Sequence, residues 1–539
     1  MSTIQNNNHP LVLPSVRAIS LGMAIVLFII LCVLPIIYML GISLTYDNGI
    51  SIQNYRRLFI EPRQQALLIT SALLGAGAAA LATVIGVPLG IILARVEIPA
   101  KRLLRLALVT PLVIPPYIMA LAWIYIGGSA GLVAQLVGTD LLSSWTYSLA
   151  GAIVVLGISF YPLAMLTTEA AARRVDARLE EAALLVAPPS QVLWKITLPL
   201  MLPAIATATL TIFVLTLAEF GVAGLLRVPV FTTEIFTAFS ALYDFAAATA
   251  LAFPLLVVTL IMGFAVKLLI GDRLLTTRRS LQTGLMLSLG FKRPLTVVYL
   301  LLTIFITVFL PIMVLSYEAS GITHIIYSLK TSINAIKNSL VLSSIAATLT
   351  ILIALLLGYW REHTQHRLGD LMDLLFIVVF AVPSTVVGVG LIGLWNRPGW
   401  LGTIYTSQLI IIFAYLARFL PIATLMIAAN IRQVPHSFEE AAEISGASWP
   451  RTFTHILIPQ IRTGLAAAWV ISFIFTFSEI GATVLVAPPG ESTLPVRIYT
   501  LIANAPSREV AALALLQVGI VITPFTLFGL INWKKGEQS

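Results

Sequence analysis

The sequence predicts an all-α membrane protein of about twelve transmembrane helices, laid out as two tandem six-helix repeats. Three observations carry that prediction. Hydrophobic residues make up 59% of the 539 positions and charged residues 10%, with mean hydropathy +0.98, more apolar surface than a soluble core can use. About twelve stretches reach the roughly 20 apolar residues that a bilayer-spanning helix needs. They are long Leu, Ile, Val and Ala runs, unlike the short alternating segments of a membrane barrel. Finally, a short charged sequence interrupts the apolar pattern twice, 259 residues apart (440 − 181).

The net charge of +9 and pI of about 9.6 would suit a nucleic-acid partner only if the basic groups shared one soluble face. They sit instead in short loops between apolar runs, which is the positive-inside pattern of a membrane protein. The single cysteine, Cys32, lies inside the first run, so there is neither a disulfide framework nor a Cys/His metal spacing. That run exceeds a signal-peptide core and lacks a small-residue cleavage site, which makes it a retained span.

Taken in order, a polar tail over 1–17 precedes a first span at about 19–44. An outer loop with Asp47, Arg56, Arg57, Glu61 and Arg63 follows. The second span, about 66–94, carries Gly75, Gly77, Ala78, Ala79 and Ala80, small residues that let backbones approach. Arg95, Lys101, Arg102 and Arg105 mark an inner loop. The third span, about 104–127, contains Pro111, Pro115 and Pro116, which predicts a kinked or broken helix with its freed carbonyls facing protein or water. Span four lies at about 147–170 and carries Pro162; spans five and six lie at about 202–226 and 246–270. The first half is thus 1–270, joined by a basic linker, 271–293, to a second half, 294–539. There the spans fall near 294–317, 336–360, 371–395, 406–430, 462–487 and 509–532. Lys534 and Lys535 follow the last span. An even number of spans places both termini on the cytoplasmic side.

Landmarks repeat between the halves. Pro116 pairs with Pro383, and Pro162 with Pro421. Pro199 pairs with Pro459, Glu219 with Glu479 and Gly221 with Gly481, all at an offset of 260 (459 − 199). Six spans per half give both halves one membrane orientation and a parallel pseudo-two-fold arrangement, with a pathway between them.

The repeated charged segments lie at about 173–200 and 432–460. The first contains Glu181-Ala182-Ala183, then Ala187, then Ile196-Thr197-Leu198-Pro199. The second contains Glu440-Ala441-Ala442, then Gly446, then Ile456-Leu457-Ile458-Pro459. Ser437 followed by Glu440 reads as a capping box, the alanines favour helix, and Gly446 reads as the C′ residue that ends it. A second short helix is expected over Trp449–Leu457, with Pro459 opening the next span. Two short helices at an angle would make a rigid projection, whose glutamates and apolar ends could dock in a partner's groove. A plain amphipathic connector on the bilayer surface is the alternative. Two copies in register favour the docking role.

The second copy resembles the permease signature of ATP-binding-cassette importers, departing from it in having Ile458 where the family has leucine. The first departs further, with Ala187 in the glycine position and one residue fewer before Pro199. The whole chain looks like a fused twelve-span permease of the iron(III) and thiamine importer group. Glu219-Phe220-Gly221 with Thr232-Thr233-Glu234-Ile235-Phe236 looks most like the iron(III) members. The resemblance implies a type I importer permease fold in the bacterial inner membrane. It also implies two copies of an ATPase partner gripping the two segments, and a periplasmic or extracellular binding protein that delivers substrate. ATP is expected on the partners, because this chain has no phosphate-binding loop: Lys330-Thr331-Ser332 lacks the preceding glycines. No cofactor, resident metal, catalytic residue or nucleic acid is expected.

Glu219 and Glu479 are the pathway candidates, since a carboxylate within a span is costly and suits a hard cation such as iron(III); capping or pairing within the fold is the alternative. Glu169 and Asn430 read as structural, and His455 as a surface residue. Two other classes compete. A secondary transporter would need coupling acids in several spans and leaves the paired loops without a role. An intramembrane enzyme would need a His/Asp or Ser/His set at membrane depth, and the histidines fall mostly in tails and loops.

Overall fold

A computed structural model describes residues 16–46, 49–270, 293–364 and 366–536. Among these residues eleven helices are long and apolar enough to cross a membrane, and one bent pair supplies a twelfth. The first half comprises span one (Val16–Ser43), span two (Pro62–Arg95), span three, span four (Leu149–Ala172), span five (Pro189–Leu217) and span six (Phe245–Ile270). The second comprises span seven (Pro294–Glu318), span eight (Ile333–Glu362), span nine, span ten (Leu409–Ile431), span eleven (Trp449–Ser478) and span twelve (Ser507–Ile531). The strands among the described residues form one small antiparallel hairpin, Thr45–Tyr46 with Gly49–Ile50. The tail before residue 16, Asp47 and the basic linker up to Lys292 fall outside the described residues, whereas Arg293 opens the helix Arg293–Ile304.

Spans three and nine are broken. Span three runs as Lys101–Val113 and then Pro116–Gly127, and the two parts of span nine, Arg367–Ala381 and Ser384–Trp395, meet at 93°. A residue before proline is pushed out of the helical region, so Pro116 holds Pro115 extended (ψ 132°) just as Pro383 is extended (ψ 141°) before its own helix. The structural partner of Pro383 is therefore Pro115, correcting the sequence pairing with Pro116 by one residue. Spans five and eleven also stop short of the expected ends, at Leu217 and Ser478. The chain breaks there so that Glu219 and Glu479 can start new short helices.

Among the described residues, four π-helical turns interrupt otherwise continuous helices: Ile29–Val33, Leu193–Thr197, Phe305–Phe309 and Phe453–Leu457. Each is followed by a residue and then a proline: Pro35, Pro199, Pro311 and Pro459. A proline has no N–H for the carbonyl four residues back and crowds it. Widening the turn by one residue accommodates that defect without breaking the helix. Pro459 consequently lies inside the continuous helix Trp449–Ser478 and does not begin a span. The expected separate second short helix, Trp449–Leu457, forms the first part of that same rod, about two and a half turns.

The apolar cores do not follow the sequence halves. Phe28, Leu31, Cys32 and Met39 of span one bury into a cluster built mainly from spans eight, nine and ten, including Ala354, Phe376 and Tyr415. Leu300, Ile304 and Leu315 of span seven bury into the cluster of spans two, three and four, beside Leu108, Ile118 and Tyr161. The first span of each half thus crosses into the other half's bundle. Close helix contact is clearest between spans two and four, where a Cβ at Gly86 or Gly90 would lie 2.6 Å from the Tyr161 carbonyl or 2.5 Å from that of Met165.

Candidate functional site

The first charged segment folds as the helix Ala177–Leu184, started by Asp176, whose carboxylate accepts from the Arg178 amide at 3.0 Å. Its anchor is Glu180, the residue before the repeated Glu-Ala-Ala. Arg95, at the end of span two, donates to Glu180 Oε1 at 3.0 Å and to the Ala172 carbonyl at 2.7 Å. Thr197, in the π-turn of span five, donates to the same carboxylate oxygen at 2.7 Å. The pair is sealed, with side-chain exposures of 4% for Arg95 and 0% for Glu180. One carboxylate therefore ties together spans two, four and five and the charged helix. In contrast Glu181 and Ala182 are exposed.

The second segment folds as Ser437–Ile444 and is anchored at the matching residue, Glu439. Here the partners are different: Tyr359 OH donates to Oε2 at 2.9 Å and His363 Nε2 lies 3.2 Å from it, with exposures of 17% for His363 and 19% for Glu439. Burial pushes the Glu439 carboxyl upward, but the hydrogen bond and charge of His363 and the Tyr359 hydroxyl outweigh it, leaving it below the ordinary carboxylate value. The position of Thr197 is taken by buried Leu457. Glu440 and Ala441 are exposed, whereas Ala442 is buried.

The turns after the two helices differ as their sequences do. Gly446 adopts φ +76°; its amide donates to Glu443 and the amide of Ala447 to Ala442, at 2.9 and 3.0 Å. These two bonds are the Schellman pattern, which needs a left-handed residue and so favours glycine. Ala187 is not left-handed; its amide continues the helix onto Ala183 at 2.9 Å. The chain then passes directly to extended Pro188. The residue missing from the first copy is thus the one that closes the Schellman turn. The expected capping box at Ser437 does not form, because the N-cap is His436 and makes no side-chain capping bond. Ser437 lies one position too far into the helix to cap it.

Both helices present apolar side chains outward in register. Leu179 (52% exposed) matches Phe438 (46%), and Leu185 (86%) matches Ile444 (88%). Exposed apolar groups thus stand at equivalent places on the two projections.

At the other end of spans five and eleven lie the two carboxylates. Glu219 accepts from the amides of Gly221 and Val222 at 2.9 and 2.8 Å, capping the helix Gly221–Leu225. Glu479 accepts from the amides of Ala482 and Thr483 at 2.9 and 3.0 Å, and also from the Thr483 hydroxyl. The glycine two residues on lets each short helix press on the second part of a broken span. A Cβ at Gly221 would come within 2.8 Å of Tyr117 Cβ, and one at Gly481 within 2.1 Å of Ser384 Oγ. In span nine, Arg418 of span ten closes the break by donating to the Phe380 carbonyl at 2.6 Å and to that of Val382. In span three, Tyr161 donates to the Leu108 carbonyl at 2.8 Å. Glu169 accepts from Arg105 and Arg173 at 2.9 and 2.8 Å, Asn430 bonds its own helix at Met426, and His455 bonds its neighbour Thr454.

Glu180 and Glu439 are the site residues that motif reading passed over. Their signal is the doublet Glu-Glu-Ala-Ala, present in both copies: on a helix, adjacent residues face different ways, so one glutamate can anchor while the other stays free.

A family model described as the binding-protein-dependent transport system inner membrane component matches twice, over residues 86–273 and 350–532. The chain is 25% identical over 476 residues to an Fe(3+)-transport system permease protein of Haemophilus influenzae, covering 86% of this chain and 89% of the relative. A putative ferric transport system permease protein of the same organism is 24% identical over 493 residues, 87% of this chain and 77% of that one. A molybdenum transport system permease protein of Mycobacterium bovis is 33% identical over 165 residues, 30% of this chain and 62% of that one.

Proposed function

The chain belongs to the family of inner membrane components of binding-protein-dependent transport systems, and on that premise we propose that it is the fused permease of an ATP-driven iron(III) importer. The permease is multi-pass in the bacterial inner membrane, with the segments at 177–184 and 437–444 and both termini on the cytoplasmic side, where the basic loops belong. Two copies of an ATPase subunit each grip one segment and bind the ATP; this chain supplies no catalytic group. A soluble binding protein delivers substrate to the opposite face.

The observation that carries this reading is the matched pair of projections, each with an exposed Glu-Ala stretch and outward apolar side chains, and each joined without interruption to a span. The rods Pro189–Leu217 and Trp449–Ser478 run from the docking turn to the capped carboxylates beside the broken spans. Pushing on a projection therefore tilts a rod whose far end bears on the pathway. Glu219 and Glu479 hold that end in the conformation described, and they remain the pathway candidates for a hard cation. Iron(III) follows from the ferric relatives, which match along most of the chain, whereas the molybdenum relative matches under a third of it. Thiamine or another small solute is the alternative cargo, and a secondary transporter is the less favoured class.

Co-purification of the chain with its ATPase tests the docking. Glu440→Lys and Gly446→Asp should lower ATPase association at least tenfold while membrane insertion is unchanged; normal association in both variants would sink the importer reading. Uptake of labelled iron(III) by proteoliposomes carrying the ATPase and binding protein tests the cargo, and uptake of thiamine in its place would replace it.

A further inference from the structure

His363, His436 and Glu439 converge at the root of the second docking helix, with one ligand atom from each lying within 4.8 Å of the others. They come from the C-terminal end of span eight and from the start of Ser437–Ile444, and nothing in their sequence spacing announces a site. We propose that these three side chains form a binding site for a first-row divalent transition-metal ion, Zn²⁺ being the probe of choice.

The hydrogen bonding around His363 carries the argument. Its Nδ1 lies 2.9 Å from the Tyr359 carbonyl. A carbonyl only accepts, so Nδ1 carries the proton, and in the neutral ring Nε2 presents a lone pair. Nε2 faces Glu439 Oε2 at 3.2 Å, donating to the carboxylate when it carries a proton and free to ligate a metal ion when that proton is displaced. An imidazole oriented by one nitrogen on a backbone carbonyl is how metal-ligating histidines are held. Tyr359 OH donates to Glu439 Oε2 at 2.9 Å, orienting the carboxylate in the same way, and the Tyr359 ring stacks on His363 with centroids 3.9 Å apart.

His436 completes the set. It is exposed, and its ring centroid lies 5.4 Å from that of His363. Tetrahedral bonds of about 2.0–2.1 Å bring ligand atoms to about 3.3 Å from one another, so the cluster must tighten, and rotation of a surface histidine supplies that movement. Two imidazoles and a carboxylate suit Zn²⁺, Fe²⁺, Co²⁺ or Ni²⁺ better than Mg²⁺ or Ca²⁺, and a fourth position stays open to water. The first docking segment differs: Ala177 stands where His436 does, and Arg95 supplies the positive charge permanently.

Bound there, the ion clamps the second docking helix to span eight. The placement of this clamp beside an ATPase rests on the function proposed above, but ion binding does not. A chain that binds Zn²⁺ yet recruits no ATPase would separate the two.

The test uses the full chain, purified in detergent without a polyhistidine tag and titrated with Zn²⁺ against a chromophoric chelator. The expected result is one ion per chain with a rise in unfolding temperature. His436→Ala, which alters an exposed side chain and spares the fold, should weaken binding at least tenfold and abolish the temperature rise. Glu439→Gln should do likewise, and His324→Ala, on a distant helix, should bind as the parent does. Absence of Zn²⁺ binding by the parent chain, or parent-like binding by His436→Ala and Glu439→Gln, would overturn the site and leave His363 and Glu439 an ion pair only.

Discussion

The two charged segments share a register and differ in what holds them. In the first, a sealed Arg95–Glu180 pair, reinforced by Thr197, fixes the helix to three spans. In the second, buried Tyr359 and the partly exposed Glu439–His363 pair hold it to one, and a glycine-closed turn finishes it. Duplication therefore kept the geometry of the projection while its attachment diverged. Removing a partner from a buried ion pair leaves an uncompensated charge, whereas an exposed pair has water to fall back on. The first segment is built to stay in place; the second is built to be released more easily.

The comparison breaks most visibly at Arg95. Arg95→Met should destabilise the chain by about 3–5 kcal/mol, because Glu180 remains buried without its cation. Thermal unfolding would register the loss, with faster amide exchange over 177–184. Tyr359→Phe removes one hydrogen bond from the matching site and should cost only about 1 kcal/mol. Equal effects would mean that the two anchors are equivalent after all.

Next come the paired glycines. Gly221→Ala pushes a Cβ against Tyr117 Cβ, close to a helix backbone, and should cost about 1–3 kcal/mol through overpacking. Gly481→Ala meets a serine hydroxyl that can rotate away, and should fall at the lower end of that range. Measured unfolding temperatures in the reverse order would show that the Ser384 side, not the Tyr117 side, is the more tightly packed of the two breaks.

The turns give a smaller contrast. Gly446→Ala has open space around it but keeps φ +76°, so its cost is backbone strain of about 1 kcal/mol. Ala187→Gly adds chain entropy to a turn that needs no left-handed residue, and should cost about 0.5–1 kcal/mol. Smallest of all, Glu181→Gln and Glu440→Gln alter exposed side chains and should stay within about 0.5 kcal/mol in stability. Any larger effect of theirs should appear only in ATPase association.

Much of this was legible in the residues because the signals are local. Apolar run length located the spans, the prolines of span three marked its break, and Gly446 foretold its own conformation. The errors are also local in origin. With two adjacent prolines, either could have opened the helix, and the rule that the preceding residue is extended singles out Pro115 only once its conformation is seen. Hydropathy carried spans five and eleven past Glu219 and Glu479, because a single capped carboxylate barely lowers the mean of an apolar window. The rest depends on contacts between distant parts of the chain. Nothing near Glu180 or Glu439 says that Arg95 or His363 will reach it. Nothing in span one says that its partners lie in spans eight to ten.

Cys32 in span one rests against the Leu416 carbonyl, 384 residues further along. Translation at about 5–20 residues per second takes on the order of 20–80 s to make that length. Until then span one lacks the whole of its site in spans eight to ten, and the partner it meets earlier is span six, while spans two to four are already able to assemble. Span seven, in contrast, meets spans two to four already made as it leaves the ribosome, and waits for span twelve. The two crossing helices are alike in the finished protein, but span one waits for most of its site to be made, whereas span seven arrives at a site already half built.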